Sequence, residues 1–317
     1  MRLALALALL AAPAAPAPAD VDAALEGHVL PRIAALADAA EALSDAAAEG
    51  CEGLEGPFRD AAEAWAGASH LTLGPLEEGG RLRIVHFWPD GRDATARGLR
   101  LLREGGEGAW TPEGIARASA AARGLAGLER LIFEDGGEPC ALTAALAADL
   151  AALTGAVDAG WDGFAALMRA AGEPGNARFL APGEAEAALY TALVGGLEFT
   201  AEQRLGRPLG TFDAPRPLRA EMRRSERSLP NVAAALRALR ELAALLADAP
   251  ETDAAFARAI ALADGLEDPA LAGVAEPSER LRVEALQTAV REVWRTAEEE
   301  IGAALDVPAG FNALDGD

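Results

Sequence analysis

The chain has 317 residues with 28 basic side chains, 50 acidic ones and three His, for a formal net charge of −22 at pH 7. That charge makes nucleic acid and anionic membrane surfaces poor partners for the molecule as a whole, and leaves open metal cations, basic partners and ligands held by local arginine clusters. Hydrophobic residues at 51% and charged residues at 25% exclude a disordered chain, and an Ala-dominated apolar set with only 5% aromatics suits closely packed helices better than a β-sandwich.

Arg2 precedes an unbroken apolar run from Leu3 to Ala12, and a small-residue and proline stretch ends at Ala17-Pro18-Ala19 before Asp20. This grammar predicts a secretory signal peptide over residues 1–19. The run is too short to span a bilayer, and no later segment reads as long and uncharged enough to do so. No Cys directly follows the run, so a lipid anchor is not indicated. The expected product is an exported, soluble, periplasmic protein with no membrane insertion after signal removal. Cys51 and Cys140 have neither CxxC spacing nor a nearby His, and in an oxidising compartment they are expected to form a structural disulfide.

Every clear periodicity is helical. From Val21 to about Glu49, Leu25, Val29, Ile33, Leu36, Ala40 and Leu43 form one apolar stripe. Pro57 opens a second helix whose stripe runs Phe58, Ala62, Trp65, Ser69, Thr72 and Leu76 to a stop at Gly79-Gly80. The segment RLRIVHFWPDG, residues 81–91, reads as a broken connection, the kind of segment that often carries function. Thr111 as N-cap and Pro112 at the first helical position start a third helix to about Phe133, and a fourth runs from near Pro139 to Ala171 after Gly136-Gly137. Glycines and prolines between 172 and 183 mark a linker. Further helices are expected at about 184–205, 217–226, 228–248, 251–266 and 277–305. The predicted fold is all-α, two up-and-down helical bundles in series, with an N-terminal bundle over 20–172 and a C-terminal one over 173–317.

Glu129 falls on the core-facing stripe of the third helix, between Leu125 and Ile132. A carboxylate aimed at a bundle core needs a partner, so Glu129 reads either as half of a buried Glu–Arg pair or as a ligand or metal group. Glu63, His70 and Glu77 are spaced by sevens on the second helix, and that face reads either as a weak metal site or as a solvated polar face. His28 reads as a surface or packing residue. Arg81, Arg83, His86, Trp88, Asp90 and Arg92 make a polar-aromatic cluster in the connection, and Arg223, Arg224, Ser225, Glu226, Arg227 and Ser228 make another at a helix start. Arginines beside free backbone N–H groups suit an anion or carboxylate, with an ordinary cap at Ser228 as the alternative. A site shared between the two bundles accounts for both clusters.

The ordered set Ala64-Trp65, Ser69-His70, Gly74-Pro75, Arg83-Ile84, Phe87-Trp88-Pro89-Asp90, Gly124 to Phe133, Arg204 to Gly210 and Arg224 to Leu229 resembles the imelysin-like proteins. The resemblance implies a periplasmic protein of two helical bundles with a pocket between them, associated with iron acquisition. The family carries a GxHxxE motif, on whose strength it was first classed with metallopeptidases. Here the motif aligns with Gly124, Ala126 and Glu129, so the His is absent. The leading expectation is a non-enzymatic binding or accessory protein, with a small ligand or periplasmic iron-uptake components as partners. Glu129, Arg83, His86, Trp88, Asp90, Arg224, Ser225, Arg227 and Ser228 are its candidate pocket residues. The rivals are a metal-dependent hydrolase, in which iron or another divalent metal sits on Glu129 with His70 or His86, and a helical scaffold with no small ligand.

Overall fold

A computed structural model describes residues 20–134 and 139–307. The expected signal peptide and the Gly136-Gly137 break lie outside the described residues. Among the described residues there is no strand, only an isolated bridge between Thr211 and Ala214. The helices are α1 (Val21–Ala24), α2 (Leu30–Glu49), α3 (Glu55–Ala68), α4 (Arg81–Val85), α5 (Ala94–Gly105), α6 (Pro112–Arg117) and α7 (Gly124–Phe133). They continue with α8 (Cys140–Arg169), α9 (Gly183–Glu198), α10 (Gly206–Leu209), α11 (Ser228–Leu246), α12 (Pro250–Asp264) and α13 (Pro277–Ala297).

Two helical bundles follow one another along the chain. In the first, α2 lies along α8 and α3, and α7 packs on α3 and α8; in the second, α13 and α11 both pack on α12 and α9. The predicted stripes supply the cores: Ile33, Leu36 and Leu43 of α2 are buried, as are Val283, Leu286, Val290 and Val293 of α13. Helix α11 leans on α3, so the apolar cores of the two bundles merge into one cluster.

Several expected elements are broken. The second helix ends at Ala68, and past it Gly74 takes φ +60 with the Phe164 ring 2.7 Å from where a Cβ there would stand, so the chain cannot resume the helix through that point. Leu71, Leu73 and Leu76 are buried from non-α backbone, so Glu63, His70 and Glu77 share no helical face. The third helix is interrupted by a 3-10 turn at Ala120–Ala122, and α7 starts at Gly124 with φ +59. A Cβ at Gly124 would stand 2.0 Å from the Ile84 carbonyl oxygen, so the close crossing of α4 and α7 requires glycine. Residues 217–226 form a 3-10 turn at Pro217–Arg219 and a further turn, not a helix. Helix α5 was not anticipated.

By length and composition α8 is apolar enough to cross a membrane, contrary to the sequence reading. It instead forms the long strut of the first bundle, with Leu142, Leu146, Leu150, Val157 and Trp161 buried and Asp149 held by Arg123 at 2.7 Å. Cys140 at its start is disulfide-bonded to Cys51, as the compartment argument expected. The bond closes a loop of 89 residues, and loop-closure entropy of that length corresponds to about 4–5 kcal/mol.

Candidate functional site

Glu129 sits in the middle of α7 with only 5% of its surface exposed. Its Oε1 accepts hydrogen bonds from the backbone N–H groups of Arg224 and Ser225, both at 3.0 Å, and the Ser225 hydroxyl lies 2.9 Å from it. The second oxygen lies 3.9 Å from an Arg224 guanidinium nitrogen, while Arg224 Nε donates to Glu134. The backbone donors come from the turn between Ala220 and Ser228, where Met222 and Glu226 hold left-handed φ values of 45° and 58° without being glycine. That strained turn aims two successive N–H groups at one point, and the protein's own Glu129 accepts from both. The carboxylate and the turn belong to different bundles, so the contact latches them together.

Beside the latch lies a cleft of about 350 Å³, a volume in the range of small-molecule sites. One wall is His86 to Gly91 with Asp93 and Thr95, another is Ala126, Glu129 and Arg130, and a third is Arg207 with Leu218, Arg219, Ala220, Met222, Arg223 and Arg224. Trp88 stands edge-on to Phe199 at 5.7 Å between ring centroids. Ala126, which occupies the position of the missing motif His, faces this cleft.

Behind the cleft is a buried polar layer that the sequence did not signal. Glu221 is 1% exposed, and its carboxylate accepts from Arg204 Nε at 2.8 Å while Arg204 also donates to Ser69 Oγ at 2.9 Å. His86 Nε2 lies 3.3 Å from the other Glu221 oxygen without hydrogen-bond alignment. Burial alone would raise the Glu221 carboxyl; the Arg204 charge and the His86 contact outweigh it and hold it down at about 2. Glu221 lies in the 217–226 stretch expected as a helix; the turn found there instead, held by the Ser228 hydroxyl donating to the Glu221 carbonyl at 2.6 Å, takes its side chain inside.

The candidate residues divide accordingly. His86, Trp88, Asp90, Glu129 and Arg224 meet at the cleft. Ser225 bonds Glu129 from behind the wall. Asp90 caps the start of α5, accepting from Arg92, Ala94 and Thr95 N–H groups; burial would raise its carboxyl, and these bonds lower it instead. Arg83 lies over the Phe87 ring at 4.7 Å. Arg227 joins Glu63 at 3.0 Å and Asn231 at 3.1 Å, and Ser228 holds Glu221; none of Arg83, Arg227 and Ser228 lines the cleft. His70 is also absent from the lining and faces His28 instead, Nε2 to Nε2 at 2.9 Å, with both rings buried. The turn of π-helix at Leu25–Val29 carries His28 inward, which corrects its reading as a surface residue and leaves a packing one.

A catalytic metal does not fit these residues. Glu129 Oε1 already faces three donors, its other oxygen faces a guanidinium, and Ala126 has no ligand atom. Among the described residues no group of three or more His, Cys, Asp or Glu side chains converges for a metal ion.

Fold and site together define a two-bundle helical protein with a polar cleft where the bundles meet. The chain belongs to the imelysin family, described also as peptidase M75, which matches residues 27–297. No curated protein matches it. Among solved structures it is similar to an imelysin-like protein from Psychrobacter arcticum 273-4, with TM-score 0.78 and 18% identity over 92% of this chain and 96% of that one. It is similar as well to a protein named as an iron-regulated protein A precursor from Parabacteroides distasonis ATCC 8503, with TM-score 0.73 and 14% identity over 91% of this chain and 97% of that one.

Proposed function

We propose that this imelysin family member is a periplasmic, non-enzymatic binding or accessory protein linked to iron acquisition, and that its ligand site is the cleft between the bundles. The observation that carries the reading is the state of Glu129. The one motif carboxylate left on α7 is consumed by the turn of the second bundle, so it positions a site and is not free to activate water or hold a metal. Ala126 faces the cleft without a ligand atom, which argues against a hydrolase, and the open volume walled by Trp88 and arginines argues against a scaffold without a ligand. The link to iron draws on the family resemblance and on the name of the Parabacteroides relative. Export draws on the signal-like residues 1–19 and accords with the disulfide.

The test is growth of the host under iron limitation. A strain lacking the protein is expected to grow poorly there and normally in iron-replete medium. Wild type restores growth, whereas Trp88→Ala and Arg223→Gln, present at equal level in the periplasm, do not. Equal rescue by both variants overturns the assignment of the cleft, and normal growth of the deletion strain overturns the iron role.

A further inference from the structure

The cleft has a charge character opposite to that of the chain. Its walls carry five arginines, Arg130, Arg207, Arg219, Arg223 and Arg224, against three carboxylates, in a protein of net charge −22. All three carboxylates are engaged: Asp90 by the N–H groups that start α5, Asp93 by Arg130, and Glu129 by the turn at Arg224 and Ser225. Two of the arginines are thereby ion-paired. Among the described residues the Arg207 side chain donates only to the neutral Gln203 amide oxygen, at 2.6 Å, and the Arg219 and Arg223 side chains have no hydrogen-bond or ion-pair partner. Burial lowers the Arg207 and Arg223 guanidinium groups from their usual range; the Arg219 charge lowers Arg207 further, and the Arg224 charge lowers Arg223 further against the opposing pull of Glu129 and Glu134, so an anion in the cleft relieves crowded cations.

The uncommitted donors are thus three guanidinium groups at separate positions along residues 207–223. A bare metal cation meets only repulsion from them. Phosphate is best cradled by converging backbone N–H groups, and both such clusters at this cleft are filled from within, by Glu129 and by Asp90. Separate forked donors instead suit separate planar carboxylates, each able to pair in bidentate fashion, with Trp88, Phe87 and Leu218 as apolar walls. We propose that the cleft binds a small polycarboxylate, a di- or tricarboxylic acid in ionised form, free or as the organic shell of a chelated metal, with Arg207, Arg219 and Arg223 as its carboxylate receptors. This rests on the assignment of the cleft as the ligand site.

Titration calorimetry of the full mature protein with citrate, ferric citrate, acetate and inorganic phosphate tests it. Citrate or ferric citrate is expected to bind one to one, weakening as salt is raised, with acetate and phosphate far weaker. Arg219→Gln and Arg223→Gln are each expected to weaken binding about tenfold or more, while Arg100→Gln, on the exposed face of α5, leaves it unchanged. If only ferric citrate binds, the chelate is the cargo; if free citrate binds as well, the acid itself is recognised; either supports the proposal. Phosphate binding as tight as citrate, or citrate binding indifferent to both variants, overturns it. If growth on limited iron requires Arg223 but neither citrate form binds, the ligand class fails and the site assignment stands. If citrate binds and growth is indifferent to the cleft, the iron role fails and the ligand class stands.

Discussion

At the scale of single residues the molecule is governed by buried polar groups that satisfy one another. Glu129→Ala removes the acceptor for two backbone N–H groups and leaves them buried, so a loss of about 2–3 kcal/mol in urea unfolding is expected, with Glu129→Gln losing less because one oxygen still accepts. The His28–His70 pair supplies a pH dependence. Burial, then the Arg32 charge, lowers His28 from 6.5 to about 4, and burial and its neighbour lower His70 well below its usual value. The unfolded chain then binds more protons than the folded one between these limits. Stability is therefore complete above about pH 6.5 and falls as pH drops from there towards 4, by at most about 1.4 kcal/mol per pH unit for each His. Equilibrium unfolding across that range should show the slope, and a His28→Leu/His70→Leu double variant should flatten it. Glu129 was legible in the sequence because a carboxylate interrupts an otherwise apolar stripe. Glu221 and Arg204 were not, since neither breaks a pattern and only tertiary folding buries them.

At the scale of elements, the long helices followed from their periodicity and the breaks did not. Val21 to Glu49, α8, α11, α12 and α13 fall close to the expected spans because each buries one continuous stripe. The third predicted helix shows the limit. Ile115, Ser119, Ala122 and Leu125 fit a helical period, yet the chain resets at Ala120–Ala122 because α7 must start where α4 crosses it. Gly124 looks like any helical glycine in the sequence, and its need for φ +59 and for contact with the Ile84 and Val85 carbonyl oxygens exists only in the fold. Gly124→Ala is accordingly expected to cost about 3 kcal/mol, far beyond a helix-propensity change, which on its own would favour Ala. A melting temperature unchanged or raised in Gly124→Ala would show that the crossing relaxes without strain. The same crossing delivers Glu129 to the turn at Arg224, so the variant should also weaken the latch.

At the scale of the whole molecule the question is whether two bundles behave as one. The sequence made two bundles legible through its glycine and proline stretch at 172–183, but not how firmly they are joined. The join has three layers: the apolar contact of α11 with α3, the buried ties from Arg204 to Ser69 and from Glu129 to Ser225, and the ion pair of Arg227 with Glu63. Gly196 on α9 marks its tightest point, where a Cβ would stand 2.6 Å from Leu239 and 2.7 Å from His70 Cβ. A core shared across the join should make wild-type unfolding a single transition. Two probes can test this, because four of the five tryptophans, Trp65, Trp88, Trp110 and Trp161, lie in the first bundle and only Trp294 in the second. Fluorescence therefore follows mainly the first bundle, whereas far-ultraviolet circular dichroism follows both. Coincident denaturant midpoints are expected for wild type. Gly196→Val, which wedges α9 against both His70 across the join and Leu239 of the second bundle's own core, should separate the two midpoints and lower the dichroism midpoint first if the second bundle, which has no disulfide, is the weaker. Separate midpoints in wild type would mean that the bundles unfold independently, and the cleft between them would then be free to open and close without unfolding either.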